Sequence, residues 1–107
     1  MPKRYYKIDI DQDTEIRVFF ETASGILINY AVRLFIKIHG SYYEVIRFDS
    51  GHNCPHKDIL NIKGNVARKI WFEFLDYQQA LNMAVRDLKD NHEIYKERFL
   101  RWMGIKD

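Results

Sequence analysis

The sequence predicts an α+β domain: an antiparallel meander sheet of about six strands, followed by two C-terminal helices packed on one of its faces. Three observations lead there. Between Tyr5 and Phe74 apolar and polar residues alternate with a period of two. The alternating segments are separated by short turn sequences, Asp11-Gln12-Asp13, His39-Gly40-Ser41 and Lys63-Gly64-Asn65, and strands joined this closely usually pair in sequence order. From Asp76 onward the spacing of apolar residues becomes that of a helix.

The first strand is read over Tyr5 to Ile10, where Tyr6, Ile8 and Ile10 alternate with Lys7 and Asp9. The second runs from Glu15 to Glu21, with Ile16, Val18 and Phe20 on one face. The third has the clearest pattern. Ile28, Tyr30, Val32, Leu34, Ile36 and Ile38 recur at every second position, which describes a long strand with one buried face and favours a central place in the sheet. Tyr42 to Asp49 forms the fourth strand; both of its faces are fairly apolar, which suggests cover on its outer side. Asp58 to Ile62 and Val66 to Phe74 complete the meander.

Asp76 suits a helix N-cap, and Gln79 three residues later completes a capping box. Tyr77, Ala80, Leu81, Ala84 and Leu88 share one face of the first helix, while Arg86 and Lys89 stand on its solvated side. Asp90-Asn91 is read as its end and as the cap of a second helix. The stripe of that helix is Tyr95, Phe99, Trp102 and Met103, with Gly104 as its stop. Leu100 falls off the stripe and suggests a partner contact such as a homodimer.

The 107 residues are read as one domain, 1–107. A content of 47% hydrophobic and 30% charged residues argues against disorder. The net charge of +2 gives no strong global field; it permits nucleic-acid binding without requiring it. A single cysteine excludes an internal disulfide. Neither a signal peptide nor a run of roughly 18 apolar residues is seen, so the expectation is a cytoplasmic protein with no membrane contact.

Between the fourth and fifth strands lies Arg47-Phe48-Asp49-Ser50-Gly51-His52-Asn53-Cys54-Pro55-His56-Lys57-Asp58. Strand parity places Arg47 and Asp49 on one face, and His56 and Asp58 likewise. Hairpin pairing would therefore bring all four together, with His52 and Asn53 at the loop tip. One reading is acid–base catalysis without a metal. His52 or His56 would move protons, Asp49 or Asp58 would orient the imidazole, and Arg47 would stabilise charge on a phosphate. Metal binding is a second reading, since Asp49, His52, Cys54, His56 and Asp58 are all ligand types, but their spacing matches no strong signature. On this basis no cofactor is expected. A third reading is a polar hairpin loop in which Arg47 and Asp58 form a cross-strand ion pair. Cys54 is read as a bystander, with Pro55 shaping the loop.

Arg-Phe-Asp-Ser-Gly-His, followed by Pro-His-Lys-Asp, resembles the aspartate-then-histidine segment of TumE-type proteins, small toxins of toxin–antitoxin modules. The resemblance spans roughly Tyr42 to Trp102 and is carried by Asp49, His52, His56 and Asp58. It implies a metal-independent ribonuclease and a cognate antitoxin as partner. Independently, Arg33, Lys37 and Tyr43, with Phe35 and Arg47, are expected to share an outer sheet face suited to RNA. The combined expectation is a small cytoplasmic RNA-directed protein using a His/Asp/Arg cluster. The alternative is a non-enzymatic nucleic-acid-binding or homo-oligomeric interaction module.

Overall fold

The computed structural model describes residues 2–104. Its elements follow in the order β1 (Lys3–Asp11), β2 (Thr14–Ala23), β3 (Ile26–Ile38), β4 (Ser41–Asp49), a short 3-10 turn (Gly51–Asn53), β5 (His56–Leu60), β6 (Val66–Trp71) and α1 (Tyr77–Trp102). The strands form one antiparallel sheet in sequence order, β1-β2-β3-β4-β5-β6. The expected meander is therefore present, but one long helix replaces the expected pair. No helix among the described residues is long and apolar enough to cross a membrane.

Two-residue turns set the early hairpins. Ser24-Gly25 and His39-Gly40 all have positive φ, between 51° and 83°, and such residues give the turn a twist that matches the right-handed twist of the strands. Ala23 then faces Ile26, and Ile38 faces Ser41. The register aligns apolar residues in rows across the sheet. One row is Ile8, Ile16, Leu34, Ile46 and Ile59; the next is Tyr6, Val18, Val32, Phe48 and Lys57. Helix α1 lies over these rows, chiefly on β3 and β4. Ala80, Leu81, Ala84, Leu88, Tyr95 and Phe99 are its buried residues.

Four register shifts interrupt the alternation among the described residues, and two of them change which side chains reach the core. Val45 is the extra residue opposite the Leu34/Phe35 step, because Leu34 faces Ile46 while Phe35 faces Glu44. Val45 is buried, and Tyr43 turns to the helix side, its ring 5.9 Å from that of Phe99. The fourth strand looked apolar on both faces because a bulge moves its first half out of phase with its second. Its outer side needs no cover. Ile28 is the extra residue between Leu27 and Asn29; it is exposed, and Leu27 packs on the core in its place.

The capping box is present: Asp76 Oδ1 accepts from Gln79 N at 2.8 Å, and Gln79 Oε1 accepts from Asp76 N at 3.1 Å. The helix does not stop at Asp90-Asn91. Asn91 Nδ2 donates to Asp87 Oδ1 at 3.0 Å, one turn back, so its side chain supports the helix that it was expected to break. The apolar stripe also continues without a phase change from Leu88 through Tyr95 to Phe99. Leu100 packs against the core and is not a free surface leucine, whereas Trp102 is half exposed. β5 begins at His56 instead of Asp58, and β6 ends at Trp71 instead of Phe74, which is 98% exposed.

One polar group sits in a core row. Lys57 lies on the helix side of β5, where Nζ donates to Tyr95 Oη at 2.6 Å; that hydroxyl donates to Asp87 Oδ2 at 2.5 Å. Burial holds the Lys57 ammonium below its ordinary range, with Asp87 opposing the shift. Burial, followed by the hydrogen bond to Asp87, pushes the Tyr95 phenol far above its ordinary value, and burial does the same to Tyr30.

Leu88 is fully buried; Leu88→Ala is expected to cost about 2–5 kcal/mol through lost transfer energy and the remaining cavity, read as a lower urea midpoint at unchanged slope. The tyrosines predict a pH effect. Their folded-state protons are held more tightly than those of the unfolded chain, so their contribution is complete below about pH 10 and falls as pH rises above it. Tyr95→Phe should flatten that alkaline loss in denaturation curves collected from neutral to high pH; Tyr30 contributes with the same sign, and Lys57, whose ammonium burial disfavours, with the opposite sign.

Candidate functional site

The face of the sheet opposite α1 carries a different set of rows. The central one reads Lys7, Arg17, Arg33, Arg47, Asp58 and Lys69, one residue from each strand. A parallel row reads Tyr5, Phe19, Ala31, Asp49, His56 and Trp71. On the other flank stand Asp9, Glu15, Phe35 and Glu44. Like charges directly across a ladder repel, and the acidic residues relieve that repulsion. Glu15 Oε2 accepts from Arg17 Nε at 2.7 Å, and Glu44 lies 3.4 Å from both Arg33 Nε and Arg47 NH1. Burial lifts the Glu44 carboxyl above its ordinary range, with Arg47 and Arg33 opposing.

Pairing of β4 with β5 assembles the densest part of this face. Asp49 faces His56 and Arg47 faces Asp58, so the four residues singled out by strand parity do meet. Arg47 NH2 donates to Asp58 Oδ2 at 3.1 Å, and Arg47 Nε lies 3.3 Å from Asp49 Oδ2. His56 Nε2 lies 3.0 Å from Asp49 Oδ1 and 3.7 Å from Asp58 Oδ2. Asp58 and His56 are only 1% and 2% exposed. A carboxylate so thoroughly desolvated requires close cations and hydrogen bonds, and Asp58 has Arg47, Lys69 and His56 around it.

The loop holds these side chains from behind. Gly51 N donates to Asp49 Oδ1 at 2.9 Å. A Cβ at Gly51 would lie 3.0 Å from that same oxygen, so the residue must stay small for the backbone to approach. Ser50 is buried and anchors the loop to β3: its Oγ accepts from Tyr30 N at 3.0 Å and donates to Asn29 Oδ1 at 2.6 Å. His52 and Asn53 adopt positive φ, 61° and 57°, an uncommon conformation that asparagine and histidine tolerate better than most residues. Cys54 contributes its carbonyl, not its thiol: His56 Nδ1 is 3.0 Å from Cys54 O.

Other expected residues fall on different sides of the cluster. His52 is exposed, with its ring 6.2 Å from that of His56. It is accessible, whereas His56 is enclosed, so the two histidines are not interchangeable. Arg33 and Lys37 lie on the outer face; Lys37 Nζ sits 5.7 Å from the ring of Tyr42. Tyr43 does not join them. The Val45 bulge turns it to the helix side, and Tyr42 takes the outer position. Glu44, Lys69 and Trp71 belong to the cluster but were not singled out from the sequence. Lys69 Nζ is 3.4 Å from Asp58 Oδ1, and the Trp71 ring is 5.0 Å from that of His56. Their alternation in β6 was visible; the register that sets them opposite Asp58 and His56 was not.

The chain is thus a small, single-sheet α+β protein with a polar, partly buried cluster on the face opposite the helix. The chain belongs to the family described as Domain of unknown function (DUF7718), which matches residues 1–105. No curated protein and no solved structure matches it.

Asp58→Ala should be the most damaging single change here, because it leaves Arg47, Lys69 and His56 around an empty, desolvated position. The expected loss is about 2–4 kcal/mol, below the ~3–5 of a fully enclosed pair because Arg47 and Lys69 reach solvent. Chemical denaturation measures it, and Asp9→Ala, which alters an exposed carboxylate, should shift the midpoint hardly at all.

Proposed function

We propose that this protein is RNA-directed and that single-stranded RNA lies along the uncovered face of the sheet. The observation that carries the reading is a pair of neighbouring rows across the six strands: one holds cations on every strand but β5, where Asp58 stands, and the other holds aromatic rings toward its ends, Tyr5, Phe19 and Trp71, with Ala31, Asp49 and His56 between them. Arg33 and Lys69 offer cations to phosphates, Arg47, held by Glu44, Asp49 and Asp58, adds fixed positive charge beside them, and Tyr5 and Trp71, both exposed, offer rings on which bases can stack. Arg17 is committed to Glu15, and its guanidinium carbon sits over the Phe35 ring, 3.8 Å from the centroid, so it supports the face and does not contact phosphate. Neighbouring carboxylates offset much of the positive charge, which suits modest binding with a shallow salt dependence. The resemblance of the central segment to TumE-type toxins supports the same substrate class.

A second reading, cleavage of the bound RNA, is favoured by the accessible His52 beside the His56–Asp49 pair. In it His52 transfers protons, Asp49 and His56 shape the electrostatic surroundings, and Arg47 stabilises charge developing on the phosphate. His56 and Asp58 are too enclosed to touch substrate and act through their neighbours.

A titration with a fluorescent single-stranded RNA at two salt concentrations tests the binding. With about two phosphates engaged, log K should fall with log salt at a slope of about −1.4, and Arg33→Glu and Trp71→Ala should each weaken binding by about tenfold. Equal affinity in wild type and both variants would sink the proposal. Incubation of the bound RNA, with His52→Ala as control, reports on cleavage: loss of product in the variant at unchanged affinity supports it, and no product from wild type removes it.

A further inference from the structure

We propose that Asp49, His56 and Asp58 form a binding site for a divalent transition-metal ion of the zinc and manganese class. Each offers one ligand atom, and these atoms lie within 4.8 Å of one another. Two come from residues directly opposite across β4 and β5, and the third stands two residues further along β5, so rigid strands set the spacing and loop movement does not.

The histidine supplies the strongest argument. His56 Nδ1 is 3.0 Å from Cys54 O, and a carbonyl only accepts, so Nδ1 carries a proton. Nε2 is then aimed at two carboxylate oxygens, Asp49 Oδ1 at 3.0 Å and Asp58 Oδ2 at 3.7 Å. In a neutral ring that nitrogen bears a lone pair facing two oxygens that already accept from Gly51 N and Arg47 NH2, and a cation bound among the three atoms relieves their mutual repulsion. An Nδ1–H bonded to a backbone carbonyl is also the arrangement that orients an imidazole to ligate a metal through Nε2.

Asp58 adds a separate observation. It is 1% exposed, yet its Oδ1 accepts no hydrogen bond. The nearest cation is Lys69 Nζ at 3.4 Å, on a long, partly exposed side chain that can swing to solvent. Mixed imidazole and carboxylate ligation suits zinc and manganese.

A proton on Nε2 is the rival cation, and the ion alone, without RNA, separates the two. The full chain is stripped with EDTA, dialysed, and titrated calorimetrically with Zn²⁺ and with Mn²⁺. One ion per chain is expected. Asp49→Asn, which alters a partly exposed ligand and should fold, should weaken binding by about tenfold or more. Lys69→Ala should tighten it, because the competing ammonium is gone, and zinc should raise the melting temperature of this variant. The ¹⁵N signal of His56 Nε2 should move on adding zinc. The proposal is overturned if wild type and Lys69→Ala both fail to bind either ion at about 1 mM. It is equally overturned if Asp49→Asn binds as tightly as wild type, since the ion then sits elsewhere. Neither result bears on RNA binding, which is read by the salt titration.

Discussion

The contact between Arg47 and Asp58 is the constraint on which the outer face depends. At 3.1 Å it joins a partly exposed guanidinium to a carboxylate with almost no access to water. Such a pair contributes little net stability, because desolvation consumes most of its attraction, but separating the partners is costly. It therefore acts mainly on register. A one-residue slip of β5 against β4 would send Asp58 to the helix side, into the rows of isoleucine and valine, and would turn Ile59 out to solvent. The same register sets Asp49 opposite His56 and, through β6, Lys69 and Trp71 opposite Asp58 and His56.

Stability itself comes from the other face. Ile16, Val32, Leu34, Ile36 and Ile46 are completely buried beneath Ala84, Leu88 and Phe99 of α1, and apolar burial is the dominant favourable contribution to folding. Because one helix seals that side, the opposite side can carry charges that a doubly covered sheet would exclude. Lys57, Tyr95 and Asp87 are the exception within the core. Lys57 points inward by strand parity and is accommodated by the Tyr95 hydroxyl and the Asp87 carboxylate, one helical stretch apart. This network ties α1 to β5, the strand bearing His56 and Asp58.

Much of the architecture was legible in residue patterns. The period-two alternation of β3, the turn at His39-Gly40 and the capping box at Asp76 each reflect a local rule that tertiary contacts did not override. The departures have identifiable causes. Bulges at Ile28 and Val45 shift parity within a strand, and no residue type uniquely marks them. Asp90-Asn91 looked like a boundary because both residues favour caps, but with neither glycine nor proline present nothing stops the ladder, and a continuous apolar stripe carried the helix through.

By itself the sequence determined the class of fold, the two-sided character of the sheet and the clustering of Arg47, Asp49, His56 and Asp58, because each follows from side-chain alternation along a strand. Only the tertiary structure decided which histidine is enclosed and which is accessible, that Tyr43 faces inward, and that Glu44, Lys69 and Trp71 complete the cluster. Those outcomes depend on register and burial, which arise when separate strands pair and a helix covers one face. Neither is encoded in the spacing of any single segment.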